Sequence, residues 1–579
     1  MDQDLQSIQE ARQLVEAAHA AFHQFEHFTE DQVERILAAI SQTGIKHAES
    51  LARMAHEETG YGSTEHKTIK NLFAAETVYN AMKPMKTIGI VRDDKEKKVF
   101  EVASPIGVIA AIIPSTNPTS TTIYKALIAL KGRNTIVFSP HPSAARCINE
   151  TARLIAEAAE RAGAPKGVIS CMKVPTLEGT DELMKHRATQ LILATGGTGL
   201  VKAAYSAGKP AFGVGPGNVP TYIDRTADVP KAVRDILTGK TFDNGTLCSS
   251  EQSIVCDEPV KAQVMQELRK QGAYICNDAE KALLEKTIQT PRRTLNTKIV
   301  GKPAIKIAEL AGIFVPAGTR VLVAHASGVG MDHPISMEKL SPVLAFYVVR
   351  DWQEGCERCM EILRFGGMGH SLSLHTKDDG IVREFGLKKP AFRILVNTPA
   401  ALGAVGYTTN LFPAMTLGCG APGNNITSDN ISPLHLINLK RVAYGVREAT
   451  LPTPGAPASP AAGSSKRAVI ENVVDQWLGR KSSAPAPRVV STPAPVSAAV
   501  AAVAAPVAPP LQSFGQLEPK SAEPAKVEKK EAPKPVPFVC EDDVRTAILA
   551  HKKIVVGKKT IITPSARELA EENDIFIPE

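Results

Sequence analysis

The sequence predicts an α/β fold in which two domains, each a parallel sheet covered by helices, precede a linker and a small C-terminal module. Three observations predict it. From about residue 105, short apolar runs alternate with helical stretches, the signature of βαβ units. The chain has 579 residues, more than a single hydrophobic core usually organises. At Leu451 the composition breaks into Pro, Ala, Ser and Val, too poor in large apolar side chains to form a core.

In chain order, the first eighty residues place apolar side chains at helical spacing, as in Val33, Ile36, Leu37 and Ile40, and predict helices. Four apolar runs follow: GVIAAIIP (107–114), NTIVFSP (134–140), QLILATG (190–196) and VPTYID (219–224). Helical stretches such as CINETARLIAEAAERAG (147–163) separate them, giving a first α/β domain over 1–240 that is completed by 420–446. A second series, SIVCD (253–257), TRVLVAH (319–325), LAFYVV (344–349) and FRILVN (392–397), gives a second domain over 241–419.

The segment 451–535 reads as a disordered Pro/Ala-rich linker holding one island, KRAVIENVVDQWLGRK (466–481). There Val469, Ile470, Val473, Val474, Trp477 and Leu478 make one apolar stripe on a three-turn helix over 467–478. So short a helix is marginal alone in water, and its stripe is expected to dock in a partner's groove. From 536 to 579 the pattern returns. VCEDDVRTAILAHK reads as a helix with Asp542 or Asp543 near its start, and KIVVGKKTIITPSARELAEENDIFIP as strand, turn, strand and helix.

Composition limits the function. Hydrophobic residues make up 43% and charged residues 22%, the proportions of an ordinary soluble enzyme. The net charge of +7 is spread over interspersed basic and acidic residues, which argues against nucleic-acid or membrane partners. Nine scattered cysteines argue for a reducing compartment rather than a disulfide framework. The CxxC pair Cys356 and Cys359 has no second pair with which to hold zinc, so it reads as helical and structural, and no metal is expected. The N-terminus lacks the basic start and apolar stretch of a signal peptide, and the run at 105–114 is too short to cross a bilayer.

The chemistry centres on KTFDNGTLCSSEQSI (240–254), which sets Cys248 in a Gly- and Ser-rich turn between a helical stretch and an apolar run. A nucleophilic thiolate needs surroundings that lower its pKa, and backbone N–H groups in such a turn, beside Ser249 and Ser250, are expected to supply them. A carbonyl attacked by sulfur becomes an oxyanion, which a carboxamide and a backbone N–H can hold. Asn117 in IIPSTNPTST is the best candidate donor, although Asn in such a loop also serves as a turn former.

These segments together resemble the aldehyde dehydrogenase superfamily, and within it the coenzyme A-acylating branch that includes the aldehyde half of bifunctional aldehyde–alcohol dehydrogenases. The resemblance runs from about residue 5 to 446. It rests on IIPSTNPTST, FSPHPSA, ATGGTGLVKAA, FGVGPGNVP, KTFDNGTLCSSEQS, EKLSPVLAFY and GGMGHSLSLHT in the family's order, and on the ending TLGCGAPGNNITSDNISPLHLINLKRVAY. It implies an aldehyde dehydrogenase-like fold, with Cys248 as nucleophile and Asn117 as its oxyanion partner. It also implies an NAD and coenzyme A site in the first domain. Thr195, Gly196, Gly197 and Thr198 would face the pyrophosphate and nicotinamide ribose, Ser139, Pro140 and His141 the adenosine, and Glu338 the nicotinamide ribose. Glycines there allow close backbone approach, and the resemblance counts Gly213 and Gly215 among the cofactor-binding residues as well. No GxGxxG precedes a helix, so this is not the standard dinucleotide fingerprint.

Where hydrolytic members carry ELGGK, with a glutamate that activates water, this chain reads Gly213, Val214, Gly215, Pro216 and Gly217. A pocket that keeps no carboxylate poised to activate water lets a thioester on Cys248 survive until another thiol attacks, and coenzyme A is the expected attacker. His370 in GGMGHSLS is the family-matched candidate for a proton acceptor, alongside a structural role. The resemblance further implies propionaldehyde, or acetaldehyde, as substrate, NAD rather than NADP, and a homodimer or homotetramer joined through LINLKRVAY (436–444). The tail resembles the encapsulation peptides of bacterial microcompartment cargo, and so implies shell or core proteins as partners of 467–478 and a lumenal location. A hydrolytic aldehyde dehydrogenase and a catalytically silent shell scaffold are the competing readings.

Overall fold

The computed structural model describes residues 2–449, 470, 471, 473–475, 536–549, 552–563, 566, 567, 569, 570, 573 and 575–578. The chain divides into two units, Met1–Pro452 and Thr453–Glu579. The larger opens on the helices Gln3–Phe25, Glu30–Lys46, Ala48–Thr59 and Thr64–Leu72, as the spacing predicts. Val33, Ile36, Leu37 and Ile40 are all buried. A capping box starts their helix: the Thr29 hydroxyl accepts from Gln32 N, and the Gln32 side chain accepts from Thr29 N.

Strands β1 (Gly89–Asp94) and β2 (Val99–Pro105) form an antiparallel hairpin. The next five are β3 (Val108–Ile113), β4 (Thr135–Pro140), β5 (Ile169–Cys171), β6 (Thr189–Thr195) and β7 (Ala211–Val214). They form a parallel sheet in the order β5-β4-β3-β6-β7. Every residue of β3 and β4 is buried, which is why these segments read as unbroken apolar runs rather than alternating ones. The helix Pro118–Lys131 is buried along its whole length. Within it, Lys125 Nζ donates to Ile112 O at 2.9 Å and Leu193 O at 2.8 Å, tying together the adjacent strands β3 and β6.

A second parallel sheet comprises β8 (Val219–Ile223), β9 (Glu251–Asp257), β10 (Ala273–Cys276), β11 (Val321–His325), β12 (Val343–Val349), β13 (Gly369–His375) and β14 (Ala391–Val396). Its order is β10-β11-β12-β9-β8-β13-β14. The changeover between sheets therefore falls between Val214 and Val219, in the Gly-Pro-Gly segment, and not at the 240/241 boundary read from the sequence. Local apolar pattern marks β8 as a strand but not which sheet receives it; its partners Glu251 and Ser373 are far away in sequence. Strand β15 (Ile437–Ala443) pairs antiparallel with β2 at the edge of a three-stranded sheet, and all its residues after Ile437 are exposed. Cys356 and Cys359 are buried on the helix Trp352–Gly366, the position their spacing predicts.

In the second unit, most of the linker 451–535 and of the expected helix 467–478 lies outside the described residues; 470, 471 and 473–475 are helical. Strands β16 (Val536–Val539), β17 (Ile554–Ile562) and β18 (Phe576–Pro578) form a parallel sheet in that order, with the helix Glu541–Leu549 between the first two. Two differences from the sequence reading appear here. The expected strand, turn and strand over 554–562 is a single strand whose pairing to β16 is irregular, jumping from Val556 to Ile561. A third strand, β18, closes the sheet where the sequence predicts only a helix. Among the described residues, no helix is long and apolar enough to cross a membrane.

Candidate active site

Cys248 lies in the loop between a 3₁₀ turn, Phe242–Gly245, and β9. Three successive residues of that turn, Asp243 (φ 49°), Asn244 (φ 52°) and Gly245 (φ 75°), are left-handed, a conformation that only glycine adopts without cost. Side-chain bonds hold the loop in place. Asp243 Oδ1 accepts from Ser63 N at 2.9 Å, and Asp243 Oδ2 accepts from Thr246 Oγ1 at 2.6 Å. The Ser249 and Ser250 hydroxyls donate to Ala401 O and Gly239 O, each at 3.2 Å, so both serines anchor the loop rather than face the thiol.

Cys248 opens onto a cavity of about 560 Å³ that also receives Asn117, Glu338, Thr195, Gly196, Gly197 and Gly215. Ser139, Pro140 and His141 reach it from the end of β4. Ten of the thirteen residues singled out in the sequence thus line one space. Thr198 opens the helix Thr198–Ser206, whose N-cap is Gly197. The unpaired N–H groups of that helix start suit a phosphate group. A β-carbon at Gly197 or Gly215 would meet nothing within 4 Å, so the backbone there stays open to a ligand. The buried Thr195 Oγ1 has no hydrogen-bond partner. An elongated, phosphate-bearing cofactor such as a dinucleotide or coenzyme A therefore fits this end of the cavity.

Gly213 and His370 stand outside the lining. A β-carbon at Gly213 would lie 2.8 Å from Val201 and 2.9 Å from Tyr205, and the Tyr205 hydroxyl accepts from Gly213 N at 3.0 Å. Position 213 is therefore filled by a neighbouring ring and carries no carboxylate. His370 is fully buried; its Nδ1 pairs with Ser371 Oγ at 3.0 Å, and its Nε2 has no partner. Burial lowers its pKa to about 3, aided by the Arg393 charge. The ring packs under Gly217, where a β-carbon would meet it at 3.1 Å and the Cys248 carbonyl at 2.2 Å. A neutral histidine away from the cavity supports the Cys248 loop, which favours the structural role.

Asn117 occupies the N-cap of the helix Pro118–Lys131, yet its side chain makes no capping bond. Instead its Oδ1 accepts from Lys70 Nζ at 2.7 Å and its Nδ2 donates to Thr116 Oγ1 at 3.1 Å. The carboxamide therefore does not cap the helix start; its partners are Lys70 and Thr116, the latter in the cavity wall.

Electrostatics depart from the sequence expectation at Cys248. Burial, with the Glu338 charge next in effect, pushes the thiol up to about 12, against a smaller opposing influence of Arg393. The backbone N–H of the turn at Cys248 does lower it, as the sequence leads one to expect, but by less than burial raises it. Burial likewise raises Glu338 to about 8, although its Oε1 accepts from Gly217 N at 3.0 Å. Glu338 is the one carboxyl among the lining residues. Sequence reasoning missed Lys70 and Asp243, and also Pro175, Thr176 and Leu177, which line the cavity from the start of the helix Leu177–Lys185. The strand-loop-helix pattern around PTLEG was the signal available for the last three.

Residues 4–291 match the aldehyde dehydrogenase family. The chain is 45% identical over 442 residues to the bifunctional aldehyde-alcohol dehydrogenase AdhE of Escherichia coli, covering 76% of this chain and 50% of that relative. It thus spans about half the length of the bifunctional relatives it matches. Among solved structures, an acetylating aldehyde dehydrogenase from Geobacillus thermoglucosidasius is 54% identical, with a TM-score of 0.77 over 78% of this chain and all of that one. A propionaldehyde dehydrogenase from the Clostridium phytofermentans fucose utilisation bacterial microcompartment is 32% identical, with a TM-score of 0.69 over 75% of this chain and 97% of that one. Family match, fold and cavity agree, and the chain belongs to the aldehyde dehydrogenase family.

Proposed function

We propose that the protein oxidises a short-chain aldehyde to its acyl-CoA thioester with reduction of NAD, through a thioacyl intermediate on Cys248. One observation carries the reading: Cys248, Asn117 and an anion-accepting helix start share one cavity, while position 213, where hydrolytic relatives hold their base, has no side chain and no room for one. In the first half-reaction Cys248 sulfur bonds to the aldehyde carbon and the Asn117 Nδ2 donates to the resulting oxyanion. A bound nicotinamide supplies the hydride acceptor. The thiol proton leaves as the sulfur adds; Glu338, the carboxyl in the cavity, can accept it only in its ionised fraction, the minor one at pH 7. Loss of hydride leaves an acyl thioester on Cys248. With no base at 213, the thioester persists until the thiol of coenzyme A attacks and restores Cys248. A single cavity of this size suits one such ligand at a time, which supports a ping-pong order.

The acetylating Geobacillus relative supports the CoA-dependent outcome. Propionaldehyde is the favoured substrate, with acetaldehyde also turned over, because one methylene in an apolar pocket discriminates by only about 1–3 kcal/mol. NADH formation from propionaldehyde, measured with and without CoA, tests the reading. Sustained turnover only with CoA, giving propionyl-CoA, is expected; carboxylate as main product under saturating CoA refutes it.

The exposed edge strand β15 offers unpaired backbone groups to a second copy, which supports a homodimer or homotetramer. Packaging within a microcompartment is proposed from the tail: Ile470, Val473 and Val474 are exposed on helical backbone, and the Clostridium relative comes from such a compartment. Deleting 467–478 is expected to leave activity intact and the enzyme outside the shell when the two are co-expressed; unchanged packaging overturns this part.

A further inference from the structure

We propose that Lys70, anchored on Asp243, is the positioning residue that fixes the Asn117 carboxamide with its N–H₂ turned toward the Cys248-bound oxygen. The proposal rests on the assignment of Asn117 as oxyanion donor and adds what orients it.

Lys70 and Lys67 lie one turn apart on the helix Thr64–Leu72, with side chains only 4% and 1% exposed. Their shared counter-ion is the fully buried Asp243, whose Oδ2 pairs with Lys70 Nζ and, at 3.0 Å, with Lys67 Nζ. Lys67 Nζ also donates to Thr116 O at 3.2 Å, holding the residue before Asn117. A lysine ammonium has three donors and no acceptor, so the Asn117 atom facing Lys70 at 2.7 Å is Oδ1, and the amide nitrogen points the other way. One of its two protons goes to Thr116 Oγ1; the second is left for a ligand. Burial lowers the Lys70 pKa to about 7 against the opposing Asp243 charge, and in its charged form the lysine on the amide oxygen also makes the amide N–H a stronger donor, as charge-assisted bonds do.

Asp243 links this device to the nucleophile. It stands five residues before Cys248, in the left-handed turn that shapes the Cys248 loop. Gly62, itself left-handed, leaves room for it: a β-carbon there would fall 1.8 Å from Asp243 Oδ1. One carboxylate therefore fixes the oxyanion donor, through Lys70, and the loop carrying the sulfur, through Thr246. Such strain in a buried turn persists only where the surroundings over-determine it.

The test is a double-mutant cycle on the pre-steady-state burst of NADH, with CoA omitted so that the result does not depend on which acceptor follows. Lys70→Met is expected to slow the burst by about 10- to 100-fold, with the KM for aldehyde changed by less than about twofold. In an Asn117→Ala background the same substitution is expected to cost less than about threefold, since there is no amide left to orient. An equal cost in both backgrounds, or an unchanged burst in the single variant, overturns the proposal. An N117A burst equal to wild type overturns the Asn117 assignment itself and the proposal with it. Should K70M fail to fold, Lys70→Leu, which leaves the Asp243 bonds to Ser63 and Thr246 in place, enters the same cycle with the same two outcomes. A crystal structure of whichever variant folds, with the Asn117 amide unmoved, also counts against it.

Discussion

Glu338, with a pKa raised to about 8, is mostly protonated at pH 7 and so is a weak base toward water in the resting cavity. Glu338→Gln is therefore expected to leave the ratio of acyl-CoA to carboxylate unchanged within about twofold, whatever it does to rate; a marked fall in carboxylate would show that Glu338 activates water. His375, at the end of β13, carries a second residue-scale prediction. It is 1% exposed, its Nε2 lacks a partner, and burial, with the Lys231 charge adding, lowers its pKa to about 3. The unfolded chain then binds a proton near pH 6.5 that the folded one refuses until about pH 3, so stability falls as pH drops through that window. From pH 7 to 5 this group accounts for about 2 kcal/mol. In chemical unfolding, His375→Asn should reduce the decline between those two pH values by about that amount, and identical declines would contradict it. At this scale the cofactor loop and Cys248 were legible because each sits in a short contiguous motif. Lys70 and Asp243 were not. On sequence, two lysines three apart on a helix look like a solvated face, and their burial comes from partners more than 170 residues away.

At the scale of elements, the turn between β7 and β8 does two jobs: it passes the chain from one sheet to the other and it supports the Cys248 loop. Gly217 is the pivot, because its N–H binds Glu338 and its Cα lies against the Cys248 carbonyl and the His370 ring. Gly217→Ala would place a β-carbon 2.2 Å from that carbonyl, so the loop has to shift. The expected result is a loss of about 10²-fold or more in kcat/KM with a destabilisation of about 1–3 kcal/mol, read by steady-state kinetics and unfolding together. Near-native kinetics would show that the loop tolerates displacement. Buried strands β3 and β12 were legible as apolar runs of five or more residues, and β4 and β9 as the shorter runs 136–138 and 254–256. The three- and four-residue strands β5, β7 and β10 are too short to show a period; β1 carries mostly exposed residues, and β2 is half-buried throughout except at the buried Ala103. Sheet membership of β8 was invisible for a different reason: parallel pairing is decided by crossovers, and no local pattern records it.

Across the whole molecule, the two parallel sheets and the chain between them bring residues from positions 117 to 338 to one cavity whose sulfur has no water-activating neighbour at position 213. On the proposed mechanism that arrangement makes the acyl enzyme the long-lived species, and its lifetime decides between acyl-CoA and carboxylate. The most direct measurement is mass spectrometry of the protein after mixing with propionaldehyde and NAD in the absence of CoA, followed by addition of CoA. The account predicts a propionyl group on the peptide bearing Cys248 that accumulates to near one equivalent and leaves as propionyl-CoA. An unmodified Cys248, or a propionyl group lost to water as propionate before CoA is added, would contradict it.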